Sequence, residues 1–202
     1  EFSSSKNINY LMTNSSDKKR TFLRDLKNLA IWISIALIIR WQVIEPRWIP
    51  SGSMLPTLQI KDKILVEKLS PKLNFRNLSR LKNQIIIFNA PKILIDSGYE
   101  SNTALIKRVV GTPGDKIEVK EGTLYINDIL QDNYPTDKGI NYSVGPYIVP
   151  EDSLWVMGDN RNNSMDSHIW GFLPYKKVIG KAFIRYWPLD KFGPIHFPNL
   201  NN

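Results

Sequence analysis

Cysteine is absent from the 202 residues. That excludes a disulfide framework, a thiol nucleophile and thiolate metal sites. Histidine is nearly as scarce: only His168 and His196 occur, too few for a His-rich metal centre. There is no interleaved run of Arg, Lys and aromatics of the kind that grips a single strand. The net charge of +8 therefore points to an anionic lipid surface or a solvated basic exterior rather than to nucleic acid. No internal repeat is evident, and no metal or cofactor is expected. What remains is ordinary. Hydrophobic residues make up 42% and charged residues 23%, a composition that folds. The length suits one sizeable domain, or a main domain with a small insert.

Residues 1–28 are polar, rich in Ser and Asn, and carry Lys6, Lys18, Lys19, Arg20, Arg24 and Lys27. They read as a flexible basic arm. From Leu29 to Ile39 the chain is uncharged and apolar on every side apart from Ser34. Extended to Ile44, this segment is a helix of ~24 Å, short of a hydrocarbon core of about 30 Å. Lys27 and Arg40 can snorkel, and Trp32 and Trp41 suit the headgroup level, so a single transmembrane anchor is expected over residues 29–45. No small-x-small cleavage site follows the run, which argues against a cleaved export signal. The basic arm precedes the anchor, which places the N-terminus in the cytoplasm and residues 46–202 on the far side of the membrane.

Beyond Ile49, short apolar runs are punctuated by Gly, Pro, Asn and Asp, a pattern of strands. Candidate strands are 62–67, 84–88, 104–110, 116–119, 124–127, 154–157 and 178–187. The soluble part is expected to be mainly β.

Three stretches carry chemistry. In Ile49-Pro-Ser-Gly-Ser-Met-Leu-Pro-Thr-Leu58, two prolines and Gly52 hold Ser51 and Ser53 on a stiff loop, as a nucleophile requires. In 104–115, Lys107 and Arg108 lie on opposite faces of a strand, and alternation alone does not say which is buried. Chemistry separates them. Arg stays protonated, whereas burial lowers a Lys pKa. A Lys of pKa ~10.4 is neutral at pH 7 in roughly one molecule per few thousand. Lowering that pKa by about two units takes ~3 kcal/mol, which an apolar strand face can supply. The third stretch, Met157 to Gly171, is dense in side-chain hydrogen-bonding groups. It admits other readings: plain Asx-turns, a cation-binding loop, or a Ser53-His168-Asp166 triad.

Together and in this order, the stretches Pro50-Ser-Gly-Ser-Met-x-Pro-Thr-Leu58, Lys107-Arg-Val-Val-Gly-x-Pro-Gly-Asp115 and Gly158-Asp-Asn-Arg-x-Asn-Ser-x-Asp-Ser167 resemble the boxes of the type I signal peptidases. With the single anchor followed by Glu45-Pro46-Arg47, the chain looks most like the cyanobacterial and plastid branch. The resemblance implies an antiparallel β catalytic core with a small β insert over 118–150. It also implies a serine endopeptidase in the plasma or thylakoid membrane, acting on exported precursors whose signal peptides end in Ala-x-Ala. Ser53 would be the nucleophile and Lys107 the general base. The Ser51 hydroxyl and the Ser53 N–H would form the oxyanion hole, and Ser164 would orient the Lys107 amine. Asp159, Arg161 and Asp166 would brace the site, while Ile49, Met54, Leu58 and Ile106 would line pockets for small side chains. Two residues depart from the pattern: His168 stands where Arg is common, and Thr112 replaces an apolar residue. Two competing readings have a Ser/Lys pair or none. Soluble self-cleaving repressors carry a DNA-binding domain where this chain has its apolar run, and a membrane-tethered β binding module would use the boxes only as turns.

Overall fold

The computed structural model describes residues 2–73, 77–131 and 139–195. His196 and part of the segment assigned to the insert, 132–138, lie outside the described residues. The chain divides into Glu1–Val43 and Ile44–Asn202.

The first unit is a helix, α1 (Phe2–Gln42). The basic arm, expected to be flexible, is part of it. The reason is compositional: no Gly or Pro occurs between residues 2 and 42, so no helix breaker falls within α1. Ser34 Oγ donates to the Ala30 carbonyl at 2.8 Å, which satisfies the one hydroxyl in the apolar run. Among the described residues no helix is long and apolar enough to cross a membrane. The uncharged run from Leu29 to Ile39 extends only about 16 Å, and α1 ends at Gln42. The segment read as an anchor over 29–45 therefore already enters the sheet, because Ile44 and Glu45 open the first strand.

That strand, β1 (Ile44–Trp48), is followed by β2 (Lys63–Glu67), the short helix α2 (Leu69–Leu73), β3 (Ile85–Asn89), α3 (Lys92–Asp96) and β4 (Ala104–Gly111). Then come β5 (Lys116–Lys120), β6 (Thr123–Ile126), β7 (Ile129–Gln131) and β8 (Val144–Ile148). The chain continues through β9 (Ser153–Met157), α4 (Ser167–Trp170), β10 (Leu173–Pro174), β11 (Val178–Trp187) and β12 (Gly193–Pro194). Two sheets result. The larger runs β1-β2-β11-β3-β4-β9-β10 with β12 against β11, and the smaller runs β7-β6-β5-β8. Every pairing is antiparallel.

All seven strands anticipated from alternation are present, with ends shifted by a residue or so. Alternation missed β1 because Pro46 and two charged residues do not look like strand. An edge position tolerates them, and β1 pairs only with β2. It also missed β8, an edge of the small sheet whose residues 145–148 are exposed and include Gly145 and Pro146.

The centre of the larger sheet positions the site. Ile86 and Phe88 of β3 pack into one buried cluster with Val109, Leu154 and Val156, while Ile85 and Ile87 pack into another with Ile49, Met54, Leu58 and Ile64. Both faces of β3 are thus covered. Its neighbour β4 is buried from Ile106 to Gly111. A strand in that position cannot send either of two consecutive basic residues to water.

Candidate active site

Ser53 sits in a one-turn 3-10 helix, Gly52–Met54, that starts from an extended Ser51. Buried Met54 anchors the turn in the core, and Leu55 N–H closes it on the Gly52 carbonyl at 3.1 Å. The Ser53 side chain is directed at β4. Lys107 Nζ donates to Ser53 Oγ at 2.8 Å, with both residues buried. Ser51 Oγ lies 3.5 Å from Ser53 Oγ.

Lys107 and Arg108 are both inside, so the choice between them that alternation posed does not arise. The environments differ instead. Arg108 donates through Nε and one terminal nitrogen to the two oxygens of Asp159, each at 2.7 Å, and through the other to the Asn83 carbonyl at 2.7 Å. Its charge is fully matched. Lys107 forms no ion pair among the described residues; its hydrogen bond goes to a hydroxyl. Burial therefore pushes the Lys107 pKa down to about 8, while the charges of Asp166 and Asp159 pull it partly back up.

The loop from Met157 to Gly171 supports this pair from behind. Asp166 caps α4 by accepting His168 N–H at 3.2 Å, and its other oxygen accepts Gly158 N–H at 2.8 Å. Gly158 is squeezed between the Ser53 carbonyl and Ser164: a Cβ there would sit 2.5 Å from Ser53 O and 2.6 Å from Ser164 Cβ. The Ser164 hydroxyl is buried, with no hydrogen-bond partner among the described residues, so the expected bond to Lys107 is not formed. Arg161 is buried, with one terminal nitrogen 3.7 Å from Met157 Sδ. His168 Nδ1 lies 2.7 Å from Asp166 Oδ1, and the ring stacks on Tyr142 with centroids 3.9 Å apart. At the position where Arg is common, His168 is thus paired with Asp166. No described hydrogen bond joins His168 to Ser53, whose partner is Lys107. The triad arrangement is therefore not assembled. Asp159 and Asp166 are committed to Arg108, Gly158 and His168, which also leaves the cation-loop reading without its carboxylates.

A cleft is lined by residues that directly precede the nucleophile loop and Lys107 in the chain. Arg47, Trp48, Ile49 and Pro50 line it together with Ala104, Leu105 and Ile106, and Ile64 and Ile87 come from strands lying between β1 and β4. Ile49 and Ile106 are among the residues that line it. Met54 and Leu58 do not line the cleft; both are fully buried in the cluster beneath it. Ile64 and Ile87 carried no signal in the sequence, because they are unremarkable strand residues that only sheet order brings together. Asn160 was also missed, although it stands in a stretch singled out for its polar density. Its backbone N–H donates to the Ser53 carbonyl at 3.1 Å, and its side-chain Nδ2 to the Gly52 carbonyl at 3.2 Å.

A family model described as signal peptidase, peptidase S26, matches residues 23–187. The chain is 42% identical over 179 residues to a probable signal peptidase I-2 of Synechocystis sp., covering 88% of this chain and 79% of that one. It is 41% identical over 180 residues to a signal peptidase I of Leptolyngbya laminosa, covering 87% and 85%. A probable chloroplastic thylakoidal processing peptidase 2 of Arabidopsis thaliana is 42% identical over 171 residues, covering 85% of this chain and 46% of that one.

Proposed function

We propose that this chain, which belongs to the signal peptidase family, peptidase S26, in its cyanobacterial and plastid branch, works through a Ser53–Lys107 dyad. As a member of that family it is a serine endopeptidase that removes signal peptides from precursor proteins. The observation that carries the dyad is the buried 2.8 Å contact between an amine that forms no ion pair among the described residues and a hydroxyl on a tight turn.

With Lys107 neutral, its nitrogen lone pair takes the proton of Ser53 as Oγ adds to the scissile carbonyl. The resulting ammonium delivers that proton to the departing amine, leaving an acyl ester on Ser53. Water, deprotonated by the same amine, then hydrolyses the ester. The Ser53 N–H and the Ser51 hydroxyl stabilise the oxyanion. Ser164, buried beside Gly158 and making no bond to the amine in this structure, turns its hydroxyl to Lys107 only when substrate is bound. Asp166 acts through the Gly158 N–H and Asp159 through Arg108; Arg161, buried against Met157, braces the loop.

The substrate is an extended segment lying in the cleft, with small residues of Ala-x-Ala type facing Ile49 and Ile106. Met54 and Leu58 set the depth of the cleft from below rather than lining it. The apolar run of α1 holds the enzyme at a membrane lipid surface as a single-pass anchor, with the basic N-terminal segment cytoplasmic and the catalytic domain (from Ile44 on, with its insert over 118–150) on the far side. Leu29, Trp32, Leu37 and Ile38 are each more than half exposed along that helix, a large apolar surface for water to face.

A Lys of pKa about 8 is neutral in roughly one molecule in ten at pH 7, against roughly one in a few thousand unperturbed. The neutral form is the active one, so activity is lost as pH falls through that pKa. For precursor cleavage in detergent, kcat/KM is expected to rise about tenfold per pH unit up to a bend near 8, then level. A profile flat from pH 5 upward contradicts Lys107 as the base.

A further inference from the structure

We infer that Asn160 is a positioning residue for the oxyanion hole, holding the Gly52–Ser53 peptide so that the Ser53 N–H faces the scissile carbonyl oxygen. The inference rests on Ser53 being the nucleophile whose own N–H serves as an oxyanion donor.

The geometry is that of a single peptide plane. The Gly52–Ser53 bond is trans, so the Gly52 carbonyl and the Ser53 N–H point in opposite directions from one rigid unit. Whatever fixes the carbonyl aims the N–H. Two donors fix it: Leu55 N–H at 3.1 Å, from within the turn, and Asn160 Nδ2 at 3.2 Å, from the facing loop. Glycine at position 52 offers little steric resistance to rotation of this plane, so the external donor matters more here than it would beside a bulkier residue. The next plane is held as well, because Asn160 N–H donates to the Ser53 carbonyl at 3.1 Å. One residue thus clasps the peptides on both sides of the nucleophile. A carbonyl that accepts two hydrogen bonds also polarises its amide, which makes the N–H at the other end a stronger donor.

The chemistry selects Asn. A donor is needed opposite a carbonyl oxygen, at the reach of one methylene, on a half-buried side chain. Aspartate has the same shape but presents a carboxylate to that oxygen, and the two repel. Asn160 touches neither Lys107 nor the Ser53 hydroxyl among the described hydrogen bonds, so its loss alters the aim of the oxyanion donor and not the supply of base.

The test compares the full-length enzyme with Asn160→Ala and Asn160→Asp, using precursor cleavage, a signal-peptide aldehyde as inhibitor and the cleaved signal peptide as product ligand. Removal of an oxyanion donor outright costs about 10²–10³ in kcat, so its misalignment is expected to cost about tenfold to a hundredfold. KM should stay within about twofold. Aldehyde affinity, which requires the oxyanion contact, should weaken in parallel with kcat in both variants, while product affinity should hold and the pH bend near 8 should not move in Asn160→Ala. An unchanged kcat, aldehyde affinity that does not follow kcat, or a pH bend that shifts in Asn160→Ala overturns the inference. So does a fall in thermal midpoint large enough to explain the loss in both variants, since Asn160 would then be structural. Ser53→Ala separates the two levels. If it retains activity, the dyad itself fails; if it is inert while the Asn160 variants cleave normally, only the role of Asn160 falls.

Discussion

Ser53→Ala and Lys107→Met are each expected to lower precursor cleavage by about 10⁴ or more, with the double variant no worse than either alone. The two groups perform one proton transfer, so removing either removes the step, and their effects do not add. Residual cleavage above that level by either variant in a purified assay argues against the pair. Lys107→Met also isolates catalysis from folding. At pH 7 the unfolded chain carries this amine protonated in water, while the folded chain must hold it in a site where its pKa is about 8. The difference of about 2.5 units corresponds to about 3 kcal/mol against the folded state. The penalty is complete below pH 8, where both states are protonated. It is relieved as pH rises from 8 to 10.5, where the unfolded chain binds more protons than the folded one. The inactive Met variant should therefore melt above the parent at pH 7, with the gap narrowing across that window. A Met variant that melts lower at pH 7 would mean that the amine is stabilising where it sits.

Gly158→Ala is expected to be nearly as damaging, at about 10²-fold or more in kcat, although it adds only one methyl group. The new Cβ would lie 2.5 Å from the Ser53 carbonyl oxygen, which is backbone, as well as against the Ser164 side chain. The carbonyl oxygen cannot yield without moving Ser53 itself, and a displacement of about 1 Å at the reacting atoms costs about a hundredfold. Stability should fall less than activity, since overpacking of this size costs about 1–3 kcal/mol. Measuring kcat and thermal midpoint together decides it. Full activity in Gly158→Ala would show that the nucleophile turn does not depend on this packing. Ser164→Ala, which removes the hydroxyl and leaves the backbone contact, makes a milder companion.

The sequence revealed most where local pattern and tertiary role agree. The strand over 178–187 alternates and was found whole as β11, and the three polar or Pro/Gly-rich boxes stood out because their residues are costly to place without purpose. The resemblance then joined Ser53 to Lys107, which no spacing could, since 54 positions separate them. The failures have physical causes. Period-two reasoning assumes one wet face, so it treated Lys107 and Arg108 as alternatives; β4 is central and buries both, with Asp159 supplied by a distant loop. Met54 and Leu58 are apolar residues beside the nucleophile, and nothing in composition tells a pocket wall from the core behind it. The boundary near residue 44 was misplaced because an apolar run fading into Val43-Ile44 reads equally as the end of a helix or the start of a strand. Asn160 was hidden by its company: in a stretch with eight other polar side chains, sequence offers no way to see which one reaches the Gly52 carbonyl.

The most direct measurement is the titration of the Lys107 side chain itself, followed by NMR on protein labelled at the lysine ε-carbons and assigned by the signal lost in Lys107→Met. A midpoint near 8 is predicted, set apart from the remaining lysines. A Lys107 signal that titrates with the others near 10.4 would mean a solvated, charged amine at neutral pH, and Lys107 could not then be the base that activates Ser53.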